Sequence, residues 1–140
     1  MNRTACILLL FPLAASAAEV DPETRANGQL YLHSIGLPKE AKVCERHIPG
    51  YGAIFQPLYD SWRARNEPFW AKALALMEAE AAKQGRSMDD IARQVTDDAI
   101  AKLAVAQEDT IWQTCILRLL ALRKPTSRFS TWSLEPYRGD

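Results

Sequence analysis

Few side chains of this 140-residue chain could carry chemistry: three cysteines, two histidines and two pairs of adjacent aspartates stand out. Cys44 and His47 lie three residues apart, and an imidazolium beside a thiol stabilises the thiolate that acts as a nucleophile. Cys115 offers Cys44 a disulfide partner, however, and a cysteine held in a disulfide has no thiolate. The arrangement therefore favours a structural bridge over a catalytic pair.

The histidines and aspartates do not form a recognisable site by their spacing. Neither His33 nor His47 belongs to a ligand pair such as H-x-x-x-H. The aspartates at 89–90 and 97–98 would serve acid–base chemistry only in a cleft that raises one pKa. On a helix they suit capping and surface ion pairs better. Because no phosphate-binding loop, nucleophile elbow or C-x-x-C motif occurs either, we expect no enzyme, no metal and no cofactor.

The first eighteen residues have the composition of a cleaved signal peptide. Arg3 gives a positive start, and residues 5–13 are apolar but too few to cross a bilayer as a helix. We therefore expect a periplasmic or secreted protein, with one domain over 19–125 and a tail over 126–140. No later stretch is long and apolar enough for a transmembrane segment in the mature chain.

The mature chain is nearly neutral, because without Arg3 it has 16 Lys and Arg against 17 Asp and Glu, a formal charge of −1. Nucleic acids and anionic membranes attract basic proteins, so this balance argues against a nucleic-acid partner. Cleavage also removes Cys6, and the two remaining cysteines are expected to pair in an oxidising compartment. A Cys44–Cys115 disulfide spans 71 positions, which the chain-entropy model values at roughly 4 kcal/mol.

The elements that must position these residues are helices, because apolar residues recur at helical spacing and no strand pattern is present. The run 110–122 is the most apolar after the N-terminus. It has apolar residues at 111, 115, 119 and 122 and again at 112, 116 and 120. This pattern predicts a helix with a wide buried stripe, which we expect to be the core element of the fold.

Proline and glycine divide the chain before this run. Asp21-Pro22 suits a helix start, Asn27-Gly28 interrupts the pattern, and Gly36 is a candidate helix end. Further helices are expected over 38–47, 53–66 and 68–84. Ser87 is expected to cap a helix that begins at residue 88. The sequence does not decide whether residues 88–123 form one helix or two. The predicted fold is an all-α bundle of four or five helices with one disulfide.

Arginine, tryptophan and tyrosine are enriched at protein-binding hot spots, and four such residues are candidate partner contacts: Tyr51, Arg63, Arg65 and Trp132. Tyr51 lies on a glycine-rich turn. The two arginines follow Trp62, which we place in the core, and they have an alternative role in pairing with neighbouring carboxylates. Trp132 belongs to the aromatic tail, for which packing on the bundle is favoured over partner binding.

Three motifs follow each other along the sequence from Cys44 to Cys115: a Pro-x-Tyr turn after the first cysteine, a W-x-x-x-N helix end, and a leucine-rich helix around the second cysteine. The residues are Cys44, Pro49, Tyr51, Trp62, Asn66 and Cys115. With them the chain resembles uncharacterised small exported helical proteins of Gram-negative bacteria, over roughly residues 44–122. In plan it is also similar to the periplasmic immunity proteins of contact-dependent and type VI systems, exported helical domains that carry disulfides and plug a toxin's active site.

The resemblance transfers no inhibitory residue. A small disulfide-linked scaffold of near-neutral charge, without a catalytic set and with spare Arg, Trp and Tyr residues, favours a non-catalytic protein-binding role such as that of an inhibitor or immunity protein. Two other functions stay open on the sequence. A cavity between the alanine-rich and the leucine-rich helix would suit a small-molecule or lipid carrier of the periplasm. A cleft with His33 or His47 near carboxylates would suit a hydrolase with a dispersed site.

Overall fold

The computed structural model describes residues 21–124, which form four α-helices and no strand. The helices are α1 (Pro22–His47), α2 (Tyr51–Lys83), α3 (Met88–Ala104) and α4 (Glu108–Arg123). Within these residues the predicted all-α bundle with one disulfide is confirmed. None of the four helices is both long enough and apolar enough to cross a membrane. The predicted signal peptide over 1–18 and the tail over 126–140, with Trp132, lie outside the described residues.

The two long helices are the centre of the bundle, because α1 and α2 each pack against both α3 and α4. They form an antiparallel pair in which the Tyr59 hydroxyl donates a hydrogen bond of 2.6 Å to the Ser34 carbonyl. The predicted core element, the leucine-rich run, is instead a helix that packs on this pair. The expectation that it organises the fold is therefore wrong, and the longest buried faces belong to α1 and α2.

The two shorter helices run alongside α1 in opposite directions. α3 runs parallel to α1, since the Tyr31 hydroxyl donates to Asp89 at 2.9 Å and the Lys39 ammonium lies 2.6 Å from Asp97. α4 runs antiparallel to α1, since later residues of α4 meet earlier residues of α1. The result is an up-down-up-down bundle, which short connections between consecutive helices favour.

The prediction that α1 is broken is wrong. The helix continues through Gly28, Gly36 and Pro38, and both glycines are buried rather than placed at a turn. A Cβ atom built on Gly28 would lie 2.8 Å from the Sδ atom of Met77. Glycine at this position thus lets α2 approach α1 closely, which sequence alone does not distinguish from a helix-ending glycine. The predicted start of the helix is correct, because the Asp21 carboxylate accepts from the Thr24 amide at 2.9 Å.

The predicted helices over 53–66 and 68–84 are in fact one helix, α2, with Pro57 and Pro68 inside it. An interior proline costs a helix about 3 kcal/mol. A row of buried aromatic rings spans both prolines, with neighbouring ring centroids 5.4 to 6.0 Å apart. Burial of this row offsets the cost and holds the helix together; its members are Tyr51, Phe55, Tyr59, Trp62 and Trp70. The prediction that Trp62 belongs to the core is confirmed.

The part from 88 to 123 forms two helices, which decides the alternative that the sequence leaves open. The predicted cap is confirmed, because the Ser87 hydroxyl accepts from the Asp90 amide at 3.1 Å. Gly85 takes a φ of 68° just after α2, the left-handed conformation expected of a helix-ending glycine. The turn over 105–107 then brings Cys115 back to α1.

Candidate functional site

The helix α4 has two apolar sides, and only one of them is buried. Ile111, Cys115 and Leu122 face the core and are at most 2% exposed. Four other large apolar side chains of this helix are 41–50% exposed to solvent: Trp112, Ile116, Leu117 and Leu120. We call these four residues the α4 strip. The expectation of a single wide buried stripe is therefore wrong for the positions 112, 116 and 120.

The α4 strip is a compact feature. Trp112, Ile116 and Leu120 follow each other at intervals of four residues, so they lie along one side of the helix over about 12 Å. Their exposed fractions correspond to an apolar area on the order of 300 Å² for the whole strip. Patches of this size are the largest found on many monomeric proteins and are often functional.

Two cross-links fix the opposite side of α4 to α1. Cys44 and Cys115 form the predicted disulfide, with their Cα atoms 5.8 Å apart. One turn further along α4, the Arg118 guanidinium donates from Nε to the Glu40 carboxylate at 2.7 Å. Both side chains of this ion pair are almost entirely buried. Burial raises the pKa of Glu40, and the adjacent Arg118 opposes this rise.

Two hydrogen bonds fix α4 to α2. The Tyr51 hydroxyl donates to the Cys115 carbonyl at 2.9 Å, and the Arg65 guanidinium lies 3.4 Å from the Leu122 carbonyl near the end of α4. Burial raises the pKa of the Tyr51 phenol, and the nearby Glu40 adds to the rise, so the hydroxyl stays a neutral donor at neutral pH. With the cross-links to α1, these bonds determine which side of α4 faces outwards.

The predicted partner contacts within residues 21–124 differ in their burial and in the residues that they contact. Tyr51 is 1% exposed, so its side chain is not available to a partner and the prediction for this residue is corrected. Arg63 is exposed and lies 3.5 Å from Glu67, which agrees with the alternative of local ion pairing. Arg65 contacts the end of α4, as described above. Trp132 lies outside the described residues.

The α4 strip was missed as a surface because helical periodicity finds apolar positions without showing which of them are covered. The signal was nevertheless present. The apolar residues of α4 occupy two sides of the helix, more than a single packed face requires. When apolar residues occupy more of a helix surface than packing can bury, the sequence predicts that part of this apolar surface is exposed.

A second surface feature is a groove at another part of the bundle. It lies between the start of α1, the end of α2 and the start of α3, is open to solvent and has a volume of about 490 Å³. Its apolar lining includes Leu76, Met77, Met88 and Ile91. The groove involves α3 and not α4, so it is a different place from the one expected between the alanine-rich and the leucine-rich helix.

The histidines are apart from both features. His33 is fully buried in α1, and His47 is half-buried at the end of the same helix. Within residues 21–124 no group of three or more His, Cys, Asp or Glu side chains is placed to hold a metal ion. Of the residues singled out at the start for chemistry, the cysteines at 44 and 115 form the disulfide. The Asp89 carboxylate accepts from the Tyr31 hydroxyl, and Asp90 and Asp97 form ion pairs with Arg93 and Lys39.

Compared with protein-family models, with characterised proteins and with solved structures, the chain shows no match. Two surface features of residues 21–124 bear on function, the α4 strip and the groove. The α4 strip is convex and apolar, as suits a protein partner, and the groove is concave, as suits a small ligand.

Proposed function

We propose that this is a periplasmic protein of inhibitor or immunity type, which binds another protein through the α4 strip and catalyses no reaction. The observation that supports this most is the exposure of four large apolar side chains on one side of a single helix. Covering about 300 Å² of apolar surface contributes roughly 7 kcal/mol before the costs of association. More of this energy remains for binding when the surface is presented in a fixed geometry, because less is lost in ordering it.

The α4 strip meets that condition. The disulfide, the buried ion pair and the Tyr51 hydrogen bond hold α4 on the bundle, so little order has to be created when a partner binds. A row of side chains at helical spacing fits an apolar groove, as in helix-in-groove recognition. Trp112, at one end of the row, is of the residue type that most often dominates such interfaces.

The compartment is part of the proposal. A disulfide that ties two helices of a small domain is typical of proteins in an oxidising environment. Together with the signal-peptide composition of residues 1–18, it favours the periplasm or secretion over the cytosol. A toxin or enzyme that enters the periplasm would be a fitting target for an inhibitor.

The test uses purified components. Exported proteins encoded next to this chain are produced as candidate partners, and their affinity for the mature protein is measured by calorimetry. An Ile116→Asp variant places a charge in the α4 strip and should weaken binding by about 30-fold or more, which corresponds to the loss of a hot spot. Val95→Asp is the matched control, because Val95 and Ile116 are each 42% exposed and lie on different helices.

Two results would count against the proposal. One is that no candidate binds the mature protein at micromolar concentration. The other is that Ile116→Asp and Val95→Asp bind a partner equally well, which would place the interface elsewhere. Melting temperatures of both variants should stay near that of the unchanged protein, since both positions face solvent.

A carrier of small molecules or lipids is the second candidate, supported by the groove. Its volume of about 490 Å³ lies within the range of small-molecule sites. Native mass spectrometry of protein purified from the periplasm should then show a co-purified apolar ligand, and a Met77→Glu variant should lack it. A protein that purifies without ligand and takes up no added fatty acid would remove this candidate.

A further inference from the structure

We infer that the α4 strip is also the contact surface between two copies of this chain. The two copies pair their α4 helices side by side and antiparallel, about a twofold axis at Ile116. This pairing goes beyond the proposed function, because it follows from the order of charged and apolar residues along α4 and needs no partner of another kind. Only the competition between the two uses of the strip rests on the proposed function.

The outward side of α4 is symmetric about Ile116. Trp112 and Leu120 each lie four residues from Ile116, and Asp109 and Arg123 each lie seven residues from it. Seven residues are close to two helical turns, so both charged side chains lie on the side of the helix that carries the strip. In an antiparallel pair each residue therefore meets the residue at the same distance on the other side of the axis.

Antiparallel pairing brings opposite charges together at both ends of the contact. Asp109 meets the partner's Arg123, and Arg123 meets the partner's Asp109. Between them Trp112 packs on the partner's Leu120, and Ile116 meets the partner's Ile116 at the axis. A parallel pair would instead set Asp109 against Asp109, where like charges repel. Antiparallel helices also place the positive end of each helix dipole beside the negative end of the other.

The two charged side chains are available for this contact. Asp109 and Arg123 are both exposed, and within residues 21–124 neither of them forms a salt bridge. Their sequence neighbours reinforce the contrast between the two ends, because Glu108 is acidic and Lys124 is basic. The surface of α4 is thus acidic at its start, apolar in the middle and basic at its end, which makes it complementary to a reversed copy of itself.

The size of the α4 strip predicts a weak dimer. Its apolar area is on the order of 300 Å². Since homodimer interfaces are about 65% apolar, each copy would bury roughly 450 Å² in all. The total of about 900 Å² is at the low end of specific interfaces, where association is transient. We therefore expect a dissociation constant of about 10–100 μM.

Sedimentation equilibrium of the mature protein, from about 1 μM to about 500 μM, covers this range. The average mass should rise from that of a monomer towards that of a dimer. Ile116→Asp places two carboxylates against each other at the axis and should weaken dimerisation by at least about 30-fold. Val95→Asp is the matched control, because both positions are 42% exposed, and it should dimerise like the unchanged protein.

Reversal of the two charges tests the antiparallel pairing. Asp109→Arg alone, or Arg123→Asp alone, sets like charges against each other at two symmetric contacts and should weaken dimerisation by about tenfold. The two substitutions together restore opposite charges and should bring the dissociation constant back to within about twofold of its original value. The double variant also contains both unfavourable charges at the helix ends, so its recovery separates the contact between copies from an effect on the helix dipole.

Nuclear magnetic resonance locates the contact directly. In a mixture of isotope-labelled and unlabelled protein, filtered spectra record only cross-peaks between different copies. We expect a cross-peak between the indole ring of Trp112 and the methyl groups of Leu120. Within one chain these two residues are about 12 Å apart along the helix, so the contact is a property of the dimer.

Three results would overturn the inference. The first is a protein that stays monomeric up to about 500 μM. The second is equal dimerisation of Ile116→Asp and Val95→Asp, which would assign the contact to another surface. The third is a charge-reversed double variant that dimerises no better than the single variants, which would exclude antiparallel pairing about Ile116.

The dimer and the proposed function fail in different experiments. A dimer for which no partner is found would support the pairing and count against the inhibitor role. A partner that binds a chain which is monomeric at all concentrations would support the role and refute the pairing. If both hold, the two uses of the α4 strip compete, so the apparent affinity for the partner should fall as the concentration of this chain exceeds the dissociation constant of the dimer.

Discussion

Replacing Arg118 by methionine would test how the buried ion pair holds α4 on the bundle. In the structure Nε of Arg118 lies 2.7 Å from Oε1 of Glu40, and the two side chains are only 9% and 3% exposed. Methionine has a similar length and no charge, so the substitution removes the partner of the carboxylate while largely keeping the packing. Glu40 would then be a buried carboxylate that has lost the ion pair which residues 21–124 provide for it.

Removing one partner of a buried ion pair typically costs about 3–5 kcal/mol. For a domain of this size, the melting temperature should fall by more than about 10 °C. The double variant, Glu40→Leu with Arg118→Met, replaces the pair by apolar side chains and should lie within about 1–2 kcal/mol of the unchanged protein. The expected coupling between the two positions is therefore large.

The loss of unfolding free energy caused by Arg118→Met should also depend on pH. Burial raises the pKa of Glu40 above its ordinary value of 4.5, and loss of Arg118 removes the group that opposes this rise. A carboxyl with a raised pKa in the folded protein is neutral at acid pH and destabilises the fold as pH rises through that pKa. The cost of Arg118→Met should therefore be larger at pH 7 than near pH 4.5.

Urea unfolding of the oxidised proteins, followed by circular dichroism at both pH values, measures these free energies. The disulfide should be verified in each sample, since its loss would mask the effect. The reasoning fails if Arg118→Met costs less than about 1 kcal/mol at pH 7. It also fails if the double variant costs as much as the sum of the two single ones, because the pair would then contribute no coupling.

Three further outcomes are expected. Removing the disulfide with Cys44→Ser should lower stability by up to roughly 4 kcal/mol, and equal melting temperatures of the oxidised protein and the variant would contradict this. Gly85→Ala should cost about 1–2 kcal/mol in urea unfolding, because its φ of 68° is strained for alanine; an unchanged midpoint would refute it. Glu45 accepts from the amides of Gly50 and Gly52, which lower its pKa, so stability should fall as pH drops through that lowered pKa. Glu45→Gln should flatten this acid limb, and a limb of the same slope would show that the carboxylate has no such role.

Local chemistry made part of the fold predictable from the sequence. Asp21 and Ser87 cap helices because a short side-chain oxygen satisfies the free amides of the first turn, whatever the rest of the chain does. The disulfide was predictable because only two cysteines remain once the expected signal peptide is removed. Such features depend on a few neighbouring residues or on simple counting.

Packing between distant segments determines the features of the fold that could not be predicted from the sequence. Pro57 and Pro68 argue for breaks by local preference, yet α2 runs through both because the aromatic row is buried against α1 and α4. Gly28 argues for a turn, yet it stands where Met77 of α2 approaches the backbone of α1. In each case a contact between distant segments outweighs a local preference of a few kcal/mol, and periodicity contains no information about that contact.

The candidate site depends on the same kind of contact. Rotating α4 by about 100° around its axis would turn Trp112 and Ile116 towards the core. The same rotation would carry Cys115 and Arg118 away from their partners on α1, breaking a disulfide and stranding a buried carboxylate. The loss of both cross-links exceeds what burial of two more apolar side chains would contribute, about 1.5–3 kcal/mol each. The exposure of the α4 strip is therefore a consequence of the groups that anchor the opposite side of the helix.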